Sequence, residues 1–116
     1  MTPAPATLGI LKGTLDVLVL KALAWAPMHG FELTRWLAER ASDAFELDEA
    51  AVYQSLYRME TKGLIRAEWG MSERGRRARY YELTTAGRRH LKADTDAWRR
   101  YARVVSAILD AVPGKA

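Results

Sequence analysis

DEAAVYQSLYRMETK, residues 48–62, reads as a single helix with two unlike faces. Asp48 is an N-cap type, Leu47 and Val52 stand where a hydrophobic staple fixes the incoming chain, and Gly63 supplies the left-handed residue that closes a helix. Val52, Ser55, Leu56 and Met59 recur at i, i+3, i+4 and i+7, so one face must lie on an apolar floor. The opposite face carries Ala50, Gln54, Tyr57, Arg58 and Thr61, small or hydrogen-bonding groups with no acid among them, while Glu49 and Glu60 fall on a flank. Phosphate would meet no repulsion there. Small residues at the front with Gln and Arg behind suit entry into a major groove, where an amide pairs bidentately with adenine and a guanidinium with guanine. Taken alone, the pattern also fits an ordinary amphipathic surface helix, so the neighbouring chain has to decide.

Charge is the first of those neighbours. The 116 residues carry a net charge of +4, and the excess is not spread evenly. Between residues 58 and 79 there are seven basic side chains, Lys62 among them, against three acidic ones; the rest of the chain has eleven of each. Such a segment permits binding to nucleic acid or to another anionic surface without proving either. The length suits one domain. With no cysteine there are no disulfides and no thiolate metal sites, which fits a reducing compartment, and a cytoplasmic location is expected. No signal peptide is expected, because MTPAPAT lacks a basic start, and Lys21 interrupts the longest apolar runs, so no membrane partner is expected.

Around the opening helix, the order of parts constrains the fold. MTPAPATLG (1–9) is rich in Pro and Ala and reads as a flexible arm. Thr14 can cap a first helix running to about residue 26, and LDVLVLKALAWA is apolar nearly all round, as a central core helix must be. Pro27 ends it. Phe31, Leu33, Leu37 and Ala41 mark the apolar face of a second helix from 30 to about 41, and His29 beside it has no second ligand near, which favours a structural role over a metal site. A short connection, 42–47, joins helices two and three as in a helix-turn-helix. After Gly63 the period changes to alternation. Residues 64–69 and 78–83 read as two strands of a hairpin with a loop GMSERGRR between them, anchored on the body by Trp69, Tyr81 and Leu83. Arg74, Arg76 and Arg77 sit on that loop and Arg79 begins the return strand. A basic loop by itself is usually just solvated. Here it follows a helix with an acid-free face, and three helices followed by a basic hairpin is the winged-helix order, with helix three in the major groove and the wing along the phosphates.

Thr84 can cap a last helix over 85–112, ended by Pro113 and Gly114. Leu91, Trp98, Val105 and Val112 recur every seven residues along it, with Tyr101, Ala102, Ile108 and Leu109 between. The preferred reading of this seam is pairing with a second subunit, against packing on its own domain. The chain thus divides into an arm (1–9), a mainly α winged-helix unit with a small β-hairpin wing (10–84), and a dimerisation helix (85–116). A tryptophan is too wide for tight pairing at a heptad position, so two copies of Trp98 could leave a gap that a planar aromatic ligand fills, walled by Leu11, Leu15 and Leu18. The competing view makes Trp98 an ordinary interface aromatic.

The pieces LKGTLDVLVLKAL, PMHGFEL, VYQSLYRMETKGLIRAEWG and RRARYYELTTAGRRHL together resemble the PadR family of bacterial transcriptional regulators, from about Leu11 to Leu91. The single C-terminal helix is similar to that of the compact branch of the family. The resemblance implies a winged-helix homodimer, usually a repressor, that binds a palindromic operator and is released by a small molecule. It also implies that Tyr53, Arg58, Arg76, Arg77 and Arg79 match family DNA contacts, and that Trp98 occupies a place similar to the tryptophan some relatives stack on drug-like or phenolic molecules. Three positions depart from the pattern. Ala51 replaces a frequent Ser or Thr and so removes a hydroxyl that could reach phosphate, Gln54 replaces a frequent Pro, and Thr85 replaces a common Pro without affecting capping.

The expected partner is therefore double-stranded DNA, with sequence chosen through Gln54, Tyr57, Arg58 and Thr61. The alternative is a winged-helix module that binds protein, with its arginines merely solvated. An enzyme is not expected. There is no cysteine, no paired histidine, no Ser, His and Asp set and no glycine-rich phosphate loop after a strand, so catalytic groups, cofactor and metal all lack a place.

Overall fold

The computed structural model describes residues 8–11 and 13–114. In chain order these form β1 (Leu8–Gly9), α1 (Leu15–Trp25), α2 (Gly30–Arg40), β2 (Phe45–Glu46), α3 (Glu49–Thr61), β3 (Ile65–Met71), β4 (Arg77–Leu83) and α4 (Thr85–Leu109). This is the winged helix-turn-helix order with a long helix after it.

α1 is the floor of the fold. Its Val19, Leu20, Ala22 and Leu23 are buried among α2, α3, β4 and α4, as an all-round apolar segment demands. Thr14 does not cap it in the expected way. Its hydroxyl donates backwards to the Leu11 carbonyl at 2.8 Å, so it closes the preceding turn instead of satisfying an amide of α1. The α2 start is held by His29. Its Nδ1 accepts from the Glu32 amide while Glu32 Oε1 accepts from the His29 amide, both at 3.2 Å, a capping box with imidazole in the place of a hydroxyl. Leu33 and Leu37 are buried as expected, but Phe31 is exposed, because the α2 stripe that meets the core passes through 33 and 37 and leaves 31 over the side.

Helices α2 and α3 end in the same motif. After α3, the amide of Gly63 (φ +74°) bonds the Glu60 carbonyl and that of Leu64 bonds the Met59 carbonyl at 2.9 Å, a Schellman closure with glycine where a left-handed residue is needed. After α2 the corresponding bonds run from Ser42 to Glu39 and from Asp43 to Ala38, and both donors have positive φ without being glycine. The link between α2 and α3 then pairs in parallel with the entering chain, Leu8 with Phe45 and Gly9 with Glu46. The expected arm is therefore tied down at its last two positions; the remainder, 1–7, lies outside the described residues.

The hairpin is longer and its loop shorter than the sequence reading proposed. Gly70, Met71 and Arg77 belong to the strands, and the reversal is closed by Ser72 and Arg76, with Ser72 N–H donating to the Arg76 carbonyl at 2.8 Å and Gly75 at φ +72°. Direct partners Ile65 and Leu83, then Ala67 and Tyr81, face the body; Ile65, Tyr81 and Leu83 are buried. Trp69 lies on the same face two residues further out, past the edge of the helices, and is 58% exposed, so it does not anchor the ribbon. An antiparallel bridge from Met28 to Tyr81 ties down the other edge of β4 instead.

α4 starts where expected. Thr84 Oγ1 accepts from the Gly87 amide at 3.0 Å and donates to the Gly63 carbonyl at 2.7 Å, stitching the last helix onto the end of α3. The helix closes at Leu109, three residues short of the expected end, so Val112 falls in the non-helical tail and leaves the heptad series.

Candidate nucleic-acid interface

The packing stripe of α3 is buried as its spacing requires: Val52, Ser55 and Leu56 are fully enclosed and Met59 nearly so. Asp48 caps the helix by accepting from the Ala50 amide at 3.0 Å. That fixes which side faces outwards. Ala50, Gln54, Tyr57, Arg58 and Thr61 are all exposed, and Gln54, Tyr57, Arg58, Thr61 and Lys62 line one shallow open hollow along the helix. Thr61 spends its hydroxyl proton on the Tyr57 carbonyl at 2.9 Å, so towards an incoming group it offers an acceptor.

Tyr53 is placed differently from the others. It is half-buried, and its ring covers the backbone of Gly30 so closely that a Cβ there would collide with it. Burial, with smaller contributions from Glu49 and Tyr57, pushes its phenol pKa upwards. Tyr53 thus fastens α3 to the start of α2, a packing role that its spacing along α3 could not disclose.

Two of the expected DNA-contacting arginines are engaged within the chain. Arg58 Nη2 donates to Asp16 Oδ1 at 2.7 Å, and Arg79 Nη2 donates to Glu60 Oε2 at 2.7 Å while its guanidinium lies 5.7 Å from the Tyr81 ring centre. The outer face of α3 carries no acid of its own, but α1 delivers one beside it. The signal was Asp16 standing as the one acid within the apolar run of α1. Glu60, on the flank, reaches the wing and fixes β4 against α3. Burial raises the Tyr81 phenol pKa, and the Arg79 charge partly opposes that.

The wing tip is otherwise. Arg74, Arg76 and Arg77 are exposed, and none of them pairs with a carboxylate among the described residues. Arg77 lies over the Trp69 indole, 4.6 Å from the ring centre. Sequence reasoning missed this role for Trp69. The sequence reading left Arg77 on the loop; it is the register, with Trp69 opposite Arg79 and Met71 opposite Arg77, that puts 69 and 77 on one ribbon face as diagonal neighbours. An exposed helix face carrying amide, phenol and guanidinium groups stands beside a strand pair tipped with unpaired cations, the arrangement of a base reader beside a phosphate clamp.

The pattern of the Transcriptional regulator PadR-like family matches residues 19–93, which includes α2, α3, the wing and the start of α4. The chain belongs to the PadR-like family of transcriptional regulators. A protein of Lysinibacillus sphaericus is 25% identical over 101 residues, spanning 87% of this chain and 93% of its own length. Among solved structures, a PadR family transcription regulator from Clostridium difficile is 31% identical with a TM-score of 0.69, covering 84% of this chain and 99% of that one. A PadR-like transcriptional regulator from Bacillus cereus is 25% identical with a TM-score of 0.76, over 88% and 97% of the two chains. The chain is thus a DNA-binding regulator of transcription, and this PadR protein is no enzyme. Among the described residues no helix is long and apolar enough to cross a membrane, and no group of His, Cys, Asp and Glu could hold a metal ion.

Proposed function

We propose that this PadR protein acts in the cytoplasm as a homodimer on a palindromic operator, repressing transcription until a planar aromatic effector releases it. The observation that carries the reading is the far half of α4: Trp98, Tyr101, Val104, Val105, Ile108 and Leu109 are all exposed on one chain, with Leu109 at 78%. A second copy would cover this seam, which starts at the half-buried Leu91. In this division residues 10–84 hold the DNA and 85–116 hold the partner. A two-fold axis sets the two α3 helices on half-sites about one helical turn, roughly 34 Å, apart.

Within each half-site α3 chooses the sequence through Gln54, Tyr57, Arg58 and Thr61, with Tyr53 and Lys62 at the margin. Arg74, Arg76, Arg77 and Arg79 supply affinity through phosphates. The effector would lie between two copies of Trp98, a ring that is 41% exposed and stacked on Tyr101 at 6.3 Å, with Leu11, Leu15 and Leu18 as walls. It releases DNA only insofar as it prefers the unbound dimer angle.

Selection of bound duplexes from a random pool, followed by two variants, tests this reading. Arg77→Ala should weaken binding to every duplex and reduce the salt slope by about one unit, whereas Gln54→Ala should cost about 1–3 kcal/mol on the selected site alone. Equal losses from both variants on all sequences would refute the division of labour. Failure of any duplex to enrich, with binding indifferent to salt, would favour the protein-interaction module.

A further inference from the structure

Ser55 is fully buried, and a buried hydroxyl needs a partner. It finds one 39 residues earlier in the chain: Asp16 Oδ1 accepts from Ser55 Oγ at 2.6 Å and, on its outer side, from Arg58 Nη2 at 2.7 Å. One oxygen of the carboxylate thereby takes two donors, a buried hydroxyl and an exposed guanidinium. Ser55, set in the core, fixes where Asp16 stands, and Asp16 fixes where Arg58 can point.

A free surface arginine settles on whatever phosphate is nearest, which gives affinity but no choice of sequence. Arg58 is not free in this way. With one Nη held by Asp16, the guanidinium is restrained in where it can turn, and its other N–H groups remain free as a fork of the kind that reads a guanine edge bidentately. Asp16 also cancels a unit of positive charge on the outward side of α3. Partly exposed ion pairs add little to folding, so stability is a weak reason for a carboxylate at this position.

We propose that Asp16 is a positioning residue for sequence recognition: by holding Arg58 in one orientation it converts a general phosphate contact into a base-specific one. This rests on α3 being the base-reading element. Asp16 itself touches no DNA.

Asp16→Asn keeps an acceptor for Ser55 and removes the charge that holds Arg58. Binding to the selected site, to every single-base-pair variant of it and to unrelated duplexes would be measured at several salt concentrations. Affinity for unrelated duplexes should rise and the salt slope should steepen by about one unit, as for one more phosphate contact. Discrimination should fall about tenfold at one base-pair position and nowhere else, the lower range for loss of a bidentate pair. In an Arg58→Ala background the same substitution should leave discrimination unchanged. Arginine side-chain NMR of the free protein gives a readout without DNA: rotation of the Arg58 guanidinium should be slow in the parent and as fast as that of Arg74 in Asp16→Asn. Guanidinium rotation of Arg58 that is unchanged by Asp16→Asn overturns the clamp. A parent that discriminates normally, with the same profile in Asp16→Asn or the same loss with and without Arg58, overturns the positioning role alone. A parent that discriminates at no position overturns the base-reading assignment of α3, and the role of Asp16 falls with it.

Discussion

α1 and the far half of α4 are both rich in apolar side chains, and they end in opposite environments. Val19, Leu20, Ala22 and Leu23 of α1 are buried on several sides, whereas Trp98, Tyr101, Val104, Ile108 and Leu109 of α4 stand open to solvent. The difference lies in what else the chain places around each. α1 is enclosed by α2, α3, β4 and α4, whereas α4 sends only Ala86 and Leu91, from its first half, onto the core among its partly buried apolar residues. One helix is therefore covered by its own chain, and the far half of the other is left open by it. In the proposed dimer on two half-sites, this unfinished helix would set their spacing.

The contrast is broken most severely by Leu109→Asp. In an isolated chain the site is exposed, so the substitution should leave the fold and its Tm almost unchanged. In a dimer it buries two unpaired charges in an apolar seam, each costing at least about 2 kcal/mol. Sedimentation should show monomers at concentrations where the parent is dimeric, and operator binding should be lost with the dimer. A variant that still sediments as a dimer would move the seam away from the far half of α4.

Gly87→Ala strikes the opposite end of the same helix and should give the opposite result. A Cβ at 87 would run into the backbone carbonyl of Leu64 and press on the Leu83 side chain, and the backbone of the turn after α3 cannot give way easily. Alanine favours the helix by about 1 kcal/mol, but overpacking against backbone costs about 1–3 kcal/mol, and the rigidity of the neighbour puts this case at the upper end. Thermal unfolding should shift down by several degrees with the dimer intact below the transition. A rise in Tm would mean that α4 does not sit on the end of α3 as described.

The helices and the hairpin of the enclosed half were legible in the sequence, because each carries a local signal, whereas the short pairing of β1 with β2 was not. Asp48 and Thr84 cap as their chemistry suggests, Gly63 closes α3, and the spacing of Val52, Ser55, Leu56 and Met59 gives the buried stripe. What escaped depends on distance in sequence. Asp16 reaches Arg58 across 42 positions, and no reading of α3 by itself could bring an acid to its acid-free side. Trp69 looked like an anchor because aromatic residues usually are; whether the third inward position of a strand still lies over the body depends on how far the helices extend beneath it. Val112 kept the seven-residue spacing after the helix had ended, since periodicity in a sequence does not show where backbone geometry stops.

The smallest effect concerns Trp98, where the open half of α4 would meet an effector. Titrating planar aromatic cations and phenolic acids against intrinsic fluorescence, a dimer-borne pocket should give saturable quenching in the parent and little in Trp98→Ala, with no change in Tm beyond a degree or two without ligand. The other three tryptophans set the background, and they are not equally quiet. Trp36 is partly covered and lies 6.1 Å from Trp25 with Arg40 over both rings, so its emission is governed by fixed neighbours. Trp25 and Trp69 are 63% and 58% exposed, and a planar compound can quench them by collision alone. Collisional quenching rises linearly with ligand and does not saturate, so the diagnostic quantity is the saturable part that disappears with Trp98. The monomeric Leu109→Asp variant supplies the remaining control: it keeps Trp98 but removes its two-fold copy, so a pocket built from both rings should bind no better than Trp98→Ala. Saturable quenching that persists in either variant would sink the pocket and leave Trp98 as an aromatic that fills the seam.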